Sequence, residues 1–166
     1  KEIDMGLTHL PHGVSSFGVP VLPGNSGGLY SGDTYFVDSG AGSDSNRGTF
    51  RSPFATIDYA VGKCTASNGD KIFVKEGHVE TVTAAAGLDL DVAGITIEFL
   101  GYGNGRGYIT FTTAVTADMD VDAADITLIN PRFVAGINAL TGPIDVNAAR
   151  FKMYNATWQD GTSINT

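Results

Sequence analysis

A strand pattern that recurs every 25 to 31 residues constrains the fold of this 166-residue chain more than any other feature. The apolar segments GITIEFLG, DITLINPRF and RFKMYNATW begin at residues 94, 125 and 150, so the two steps are 31 and 25 residues long. One apolar strand repeated at such a period is typical of a solenoid, in which successive turns of the chain stack on each other. The pattern therefore argues against a sandwich of hairpins.

Short strands with alternating residues precede the longer ones at matching positions. In LDLDV (residues 88–92) and DMDVD (residues 118–122), apolar residues alternate with aspartates, so one face should be buried while the acids face water. Each turn of the chain would then contribute a short strand, a bend and a longer strand. We therefore predict an all-β fold, a short right-handed parallel β-helix of about four coils. The residues expected to point inward are Leu88, Leu90, Val92, Met119 and Val121.

The composition agrees with a chain built from strands and turns. It contains 22 glycines and 42% hydrophobic residues, while charged residues make up only 17%, below the usual quarter. The formal net charge is −8, and nucleic acids or anionic membranes require basic patches instead. We therefore expect neither nucleic acid nor membrane as a partner. No apolar run reaches the ~18 residues of a membrane span.

Residues 1–34 differ from the rest, because they combine proline, glycine and serine with no sustained helix or strand period. They also carry too many apolar residues for a solvated linker. We interpret them as an extended N-terminal arm that lies on its own domain or on a neighbouring subunit, which is a first indication of assembly. The apolar residues proposed to form this interface are Leu10, Val14, Phe17, Val19, Val21 and Leu22.

The remaining domain, residues 35–166, opens with the strand TYFVD, a glycine-rich loop and an amphipathic helix predicted near residues 53–64. Ser52 is the expected N-cap, with Pro53 at the first helical position. Cys64 falls on the apolar side of this helix. It is expected to be a buried, unreactive thiol, and a nucleophilic cysteine is the alternative. The predicted apolar face consists of Phe54, Ile57, Ala60, Val61 and Cys64.

The segment YFVDSGAGSDSNRGTFRSPFATIDYAV, followed by GDKIFVKEGHVET, resembles the first coil of right-handed parallel β-helix proteins of the pectate-lyase-like superfamily. The similarity covers residues 35–82. In that superfamily a strand leads into a glycine-rich turn, a P-F-x-T-I segment opens a helix, and a G-D-x-I-x-V strand follows. The resemblance implies that the helix covers the apolar end of the stack, which otherwise would be exposed.

Oxygen-bearing side chains in the glycine-rich loop form a candidate calcium site. Asp38, Asp44 and Asn46 could supply three of the six to eight oxygens that a calcium ion requires. Asp and Asn also stabilise tight turns by accepting hydrogen bonds from nearby backbone, so a purely structural loop is the other interpretation. His9, His12 and His78 lack a common element that would align them, and we predict no zinc site from them.

Acidic residues on the short strands suggest a second candidate site. Polysaccharide lyases of this superfamily hold calcium with carboxylates and use an Arg or Lys as base, so the resemblance would assign Asp120 and Asp122 with Arg132. The alternative is a solvated strand face, since alternation alone places acids outward. About four coils at ~4.8 Å each give a groove shorter than ~20 Å, which argues against a cleft for polysaccharide cleavage.

These observations favour a non-enzymatic structural protein of a virus particle, a bacteriophage capsid decoration or tail component. The chain resembles phage structural proteins that carry this first-coil motif. Its partners would be the major capsid or tail proteins and other copies of itself, with a trimer favoured, and no cofactor is expected beyond a calcium ion. The alternatives are a polysaccharide lyase or depolymerase domain, or a glycan-binding adhesive module if Tyr102, Tyr154 or Trp158 line one face.

Overall fold

The computed structural model describes residues 14–16, 19–22 and 32–161. The chain forms two compact units that divide between Ser31 and Gly32. The second unit is mostly β-structure and contains one α-helix among its described residues.

In the first unit, β1 (Val14–Ser16) and β2 (Val19–Leu22) pair in antiparallel orientation. Four of the proposed interface residues, at positions 14, 19, 21 and 22, lie in these two strands. Leu10 and Phe17 lie outside the described residues. The role of all six in an interface stays a prediction.

The second unit contains twelve described strands, one α-helix and a 3-10 turn at Gly103–Gly105. The helix is α1 (Ile57–Val61). The strands are β3 (Thr34–Val37), β4 (Lys71–Val74), β5 (Val79–Val82), β6 (Leu88–Leu90), β7 (Thr96–Phe99), β8 (Tyr108–Phe111), β9 (Met119–Val121), β10 (Thr127–Ile129), β11 (Arg132–Ala135), β12 (Ile144–Val146), β13 (Lys152–Tyr154) and β14 (Thr157–Asp160).

Every strand from β7 onward pairs in parallel with the strand three places earlier in the chain. The first sheet has the order β3-β4-β7-β10-β13, the second β5-β8-β11-β14 and the third β6-β9-β12. Three successive strands therefore form one repeat, and each repeat adds one strand to every sheet. The predictions of a mostly β chain and of parallel strands recurring along it are confirmed.

Alternating residues of the strands form a shared apolar core. Leu88 and Leu90 in β6 are fully buried, and so are Met119 and Val121 in β9. These four inward positions were predicted from the alternation with aspartate, and the structure confirms them. Val92, which follows β6, is partly buried and packs against the same core.

The bends between the first and second sheets each contain a residue with positive φ. Gly101, Asn130 and Asn155 have φ values of 91°, 60° and 53°. Asparagine tolerates this left-handed conformation better than most residues because its short amide bonds locally to backbone. The Asn130 amide nitrogen donates to the Phe99 carbonyl at 2.9 Å, and the Asn155 amide nitrogen donates to Asn130 Oδ1 at 2.7 Å. Successive bends are thereby tied to each other.

The helix begins later than the sequence predicts, and the assignment of Ser52 as N-cap with Pro53 at the first helical position is wrong. Thr56 is the N-cap, and its side chain accepts a hydrogen bond from the Tyr59 N–H. The preceding segment is held extended against β3, because Phe54 N–H donates to the Phe36 carbonyl at 2.9 Å. Pairing with β3 thus overrides the local signal for a helix start. Helix α1 packs against β3, β4 and β6.

Candidate functional site

The glycine-rich loop directs its oxygen-bearing side chains at its own backbone. Asp38 Oδ1 accepts the Gly40 and Ala41 N–H groups at 3.0 and 3.3 Å, and Asp38 Oδ2 lies 2.7 Å from Lys75 Nζ. The hydrogen bond from Lys75 lowers the pKa of the Asp38 carboxyl, as do the two backbone donors. Asp38 therefore closes a turn and pairs with a cation that the chain itself supplies.

The other two calcium candidates hold the segment that leads into α1. Asp44 Oδ1 accepts the Ala55 and Thr56 N–H groups at 2.8 and 3.3 Å, and the Asn46 amide nitrogen donates to the Pro53 carbonyl at 2.8 Å. These contacts fit the structural interpretation of the loop. Among the described residues, no three His, Cys, Asp or Glu side chains are grouped as a metal site. Calcium binding here stays a prediction.

A buried polar cluster beneath this loop was not predicted from the sequence. His78 is fully buried, and its Nδ1 accepts the Ser39 N–H at 2.9 Å, so its proton lies on Nε2. That Nε2 lies 2.9 Å from Glu80 Oε2, which also accepts the N–H of Ile57, the first residue of α1, at 2.8 Å. The cluster thus connects loop, helix and β5. The alternation of β5 places Glu80 inward, and only the close approach of α1 explains a carboxylate there.

Aspartates at the centre of each short strand form a row across the third sheet. Asp89, Asp120 and Asp145 are direct neighbours in the parallel register. Burial raises the pKa of the Asp89 and Asp120 carboxyls, and neighbouring aspartates raise them further. One carboxylate oxygen of Asp89 and one of Asp120 are buried and lack a hydrogen-bond partner in the described part of the chain. The row is therefore electrostatically unfavourable for the fold.

The three candidate catalytic residues lie on two different sheets. Asp120 and Asp122 lie within and just after β9 of the third sheet, where Asp122 Oδ1 accepts the Asn147 amide at 3.1 Å. Arg132 lies in β11 of the second sheet, with its guanidinium 4.8 Å from the centre of the Tyr108 ring. Its Nε and Nη2 both donate to Gln159 Oε1, at 3.2 and 2.9 Å. The assignment of a carboxylate–arginine pair stays a prediction, and the hydrogen bonds of Arg132 are made with the second sheet and the turn before β8.

The three aromatic residues considered for a glycan-binding face lie on different elements. Tyr102 is in the turn after β7, Tyr154 in β13 and Trp158 in β14. Trp158 stacks with inward-facing rings of its own sheet, its ring centre being 5.8 Å from that of Phe133 and 6.0 Å from that of Phe111. It therefore continues an internal column of aromatic rings and does not join the other two on an outer face.

The strands β12, β13 and β14 are the outermost described strands of the three sheets, and we call their surface the β12–β14 end. Apolar side chains at inward positions are exposed there, with Val146 45% and Trp158 47% accessible, while Tyr154, at an outward position, is 56% accessible. In the interior of the stack, by contrast, residues at inward positions such as Phe111 and Val121 are completely buried. The β12–β14 end thus presents the cross-section of the core.

Cys64 is partly buried and its thiol donates to the Ala60 carbonyl at 3.4 Å. Burial, with smaller contributions from Asp70 and Asp33, raises the pKa of the thiol to about 12. The thiolate is therefore scarce at neutral pH, which agrees with an unreactive cysteine.

Comparison with known proteins identifies no relative of this chain. Protein-family models, curated proteins and solved structures give no match to this chain. In the described part of the chain, no helix has the length and apolar character needed to cross a membrane.

Proposed function

We propose that residues 32–161 form a right-handed parallel β-helix of about four coils, with α1 as its cap, and that the chain is a non-enzymatic structural protein of a bacteriophage particle. The parallel pairing of every third strand supports the fold. The resemblance of residues 35–82 to the first coil of such proteins supports the connection with virions. In the particle the chain would be a capsid decoration or a tail component that acts through protein–protein assembly.

The exposed β12–β14 end is the observation that carries the assembly function. In the described part of the chain, three strand edges there pair on one side only, and an apolar surface with such edges is costly in water and promotes association. Val146, Tyr154 and Trp158 lie together with these edges on the outermost strands. A protein that assembles covers such a surface with a partner.

The dispersed candidate catalytic residues also favour a non-enzymatic role. A lyase mechanism requires base and carboxylates to converge on one substrate atom. Arg132 instead bonds to Gln159 and lies over Tyr108, while Asp120 lies in a row of like charges on another sheet. We propose no cofactor for the assembly function. The partners would be further copies of the chain, in a trimer, and the major capsid or tail proteins.

Immunogold electron microscopy tests this proposal. Antibodies raised against the purified chain are applied to virus particles isolated from the source of the sequence. Gold at a fixed position on heads or tails is the expected result, and particles without label, with the chain recovered only in the soluble fraction, would refute the proposal.

The non-enzymatic assignment is tested separately. The same chain is incubated with acidic polysaccharides and Ca²⁺, and release of unsaturated oligosaccharides would refute this assignment.

A further inference from the structure

We infer that a basic aromatic surface on one copy of this chain binds an acidic surface on the side of the next copy. The inference rests on the proposed assembly function and names the contact within the proposed trimer. The first surface, which we call the aromatic tip, consists of Phe36, Phe50, Phe73, Arg47, Arg51 and Lys75. The second, which we call the acidic face, consists of Asp89, Asp91, Asp120 and Asp122.

A tight turn carries the outermost residues of the aromatic tip. The Thr49 N–H donates to the Ser52 carbonyl at 3.1 Å, and the Ser52 N–H donates to the Thr49 carbonyl at 3.0 Å. Phe50 and Arg51 are the two residues between these bonds, and both are exposed. Phe50 is 59% accessible, so a large apolar ring is held in solvent at a fixed position. Exposed apolar surface beside charged groups is typical of a protein-binding site.

Ring contacts order the aromatic tip. Phe50 meets Phe36 edge to face, and Phe36 stacks on Phe73, with ring centres 5.4 Å apart in both pairs. Phe36 and Phe73 are direct neighbours in the register of β3 and β4. Both lie at outward positions, because the following Val37 and Val74 are buried. A surface that is ordered before it binds loses less conformational entropy on association.

Basic side chains surround these rings. Lys75 Nζ lies 5.0 Å from the centre of the Phe50 ring and 2.7 Å from Asp38 Oδ2. Arg47 and Arg51 are exposed, and in the part of the chain that the structure describes neither side chain makes a hydrogen bond or an ion pair. In a chain of net charge −8, the aromatic tip is therefore a local concentration of positive charge. Aromatic rings with arginine are the usual anchors of protein interfaces.

The acidic face has the complementary charge. Asp89 and Asp120 are direct neighbours in the parallel register, and Asp91 and Asp122 follow at the next outward positions. No lysine or arginine among the described residues forms an ion pair with any of these four carboxylates. One oxygen of Asp89 and one of Asp120 also lack a hydrogen-bond partner there. Cations from another molecule would relieve the repulsion within this face.

A second copy can supply these cations in a three-fold arrangement. The aromatic tip lies on and beside the first sheet and the acidic face lies on the third, so one chain can present them to two different neighbours. Phe73 on β4 and Asp89 on β6 belong to the same repeat, so a three-fold axis along the direction of stacking brings them to a similar height. A contact between unlike surfaces closes into a ring of three when each copy is rotated by one third of a turn.

Charge reversal on each surface of the full chain tests the pairing. Light scattering and sedimentation equilibrium should show the wild-type chain as a trimer. The tip variant, Arg47→Glu with Arg51→Glu, should raise the dissociation constant of the contact at least about tenfold, because like charges then meet. The face variant, Asp91→Lys with Asp122→Lys, should do the same. The variant with all four changes should form the trimer again.

The two double variants control for net charge, because they change it in opposite directions. An effect of net charge alone would weaken the association of one variant and strengthen that of the other, against the inference. The matched control for position is Arg132→Glu on the second sheet, which belongs to neither surface. It should leave the dissociation constant unchanged. Circular dichroism should show that all variants are folded.

Three results would overturn the inference: a monomeric wild-type chain, a trimer that both double variants leave intact, or a trimer that dissociates only when Ca²⁺ is removed. Gold labelling of particles by a chain that is monomeric in solution would overturn this contact while leaving the proposed virion function in place. A trimer that depends on both surfaces, together with unlabelled particles, would support the contact and refute the virion function.

Discussion

The two ends of the stack differ in how the same core is terminated. At one end, β3 is followed by the glycine-rich loop and α1, and Phe54 and Ile57 are buried to within a few per cent. At the β12–β14 end, the inward residues Val146 and Trp158 remain about half accessible. Stacked repeats leave an apolar cross-section at both ends, because each repeat covers its apolar face only by contact with a neighbouring repeat. In residues 32–161, a loop and a helix pack on the first end, and no described segment packs on the second.

Carboxylates that accept backbone N–H groups hold the covered end together. Asp44 accepts from the two residues before α1, and Glu80 accepts from its first residue. Asp70, which is fully buried, accepts the Asp33 and Thr65 N–H groups at 2.7 and 2.6 Å. Such charge-assisted bonds fix irregular backbone that has no strand partner. The difference shows that the segment around α1 is held by polar contacts that surround a few apolar residues.

The largest expected loss of stability comes from removing a buried ring at the end of the stack where α1 packs. Phe54→Ala removes a ring that packs against Tyr35 and Tyr59, with only 3% of Phe54 accessible. We expect the free energy of unfolding to fall by about 3–5 kcal/mol, because the variant leaves a cavity in the core. Urea denaturation followed by circular dichroism measures the loss.

Trp158→Ala is the counterpart at the other end and should cost about 1–2 kcal/mol, since roughly half of the ring is already in water. Both variants are measured at one protein concentration, because association through the β12–β14 end would add to the apparent stability. Equal losses for the two variants would contradict the contrast between the ends.

An effect smaller than that of Phe54→Ala is expected when the polar network around α1 is broken. Glu80→Ala leaves the Ile57 N–H and the proton on His78 Nε2 buried without an acceptor. The free energy of unfolding should fall by about 2–3 kcal/mol, which is the cost of leaving buried donors unsatisfied. Glu80→Gln, which retains one acceptor oxygen, should recover part of this loss. Hydrogen exchange of the Ile57 amide provides the local measurement.

The control for the polar network around α1 is Glu98→Ala on β7, a partly exposed outward carboxylate in the middle of the first sheet. It should change stability by no more than about 0.5 kcal/mol. If hydrogen exchange of the Ile57 amide also became faster in Glu98→Ala, the effect would not be specific to Glu80. That result would contradict the role assigned to Glu80.

The smallest expected effect is a gain in stability, and it concerns the row formed by Asp89, Asp120 and Asp145. The pKa of Asp120 is raised in the folded chain, mainly by burial, so folding favours its protonated form. Stability is therefore lost as the pH rises through this pKa. Asp120→Asn, which stays neutral, should raise the free energy of unfolding at pH 7 by about 0.5 kcal/mol. The gain should vanish in acid, where the wild-type carboxyl is protonated.

Asp125→Asn is the matched control for the row. A hydrogen bond from Arg150 lowers the pKa of the exposed Asp125 carboxyl, so its contribution is present at neutral pH and is lost in acid. The same Asp-to-Asn change should therefore leave stability unchanged or slightly reduce it at pH 7. Urea titrations at several pH values compare the two variants. A gain from Asp125→Asn equal to that from Asp120→Asn would point to net charge as the cause.

The parts of the fold that follow from periodicity were predictable. The spacing of GITIEFLG, DITLINPRF and RFKMYNATW predicts parallel strands that recur along the chain, and these three segments contain β7, β10 and β13 of one sheet. Alternation with aspartate correctly placed Leu88 and Met119 in the core. The helix start was missed, because the local signal of Ser52 and Pro53 competes with pairing of Phe54 to β3, which is invisible in the local sequence.

The sequence by itself determined which residues face the core, because the two-residue period of a strand is a local property of the chain. Only the tertiary structure decided which distant side chains meet. Stacking separated Arg132 from Asp120 onto different sheets, and it brought Glu80 to Ile57 and His78 to Ser39 beside α1. The number of residues in each bend sets these encounters, and bend length varies from repeat to repeat without a periodic signal.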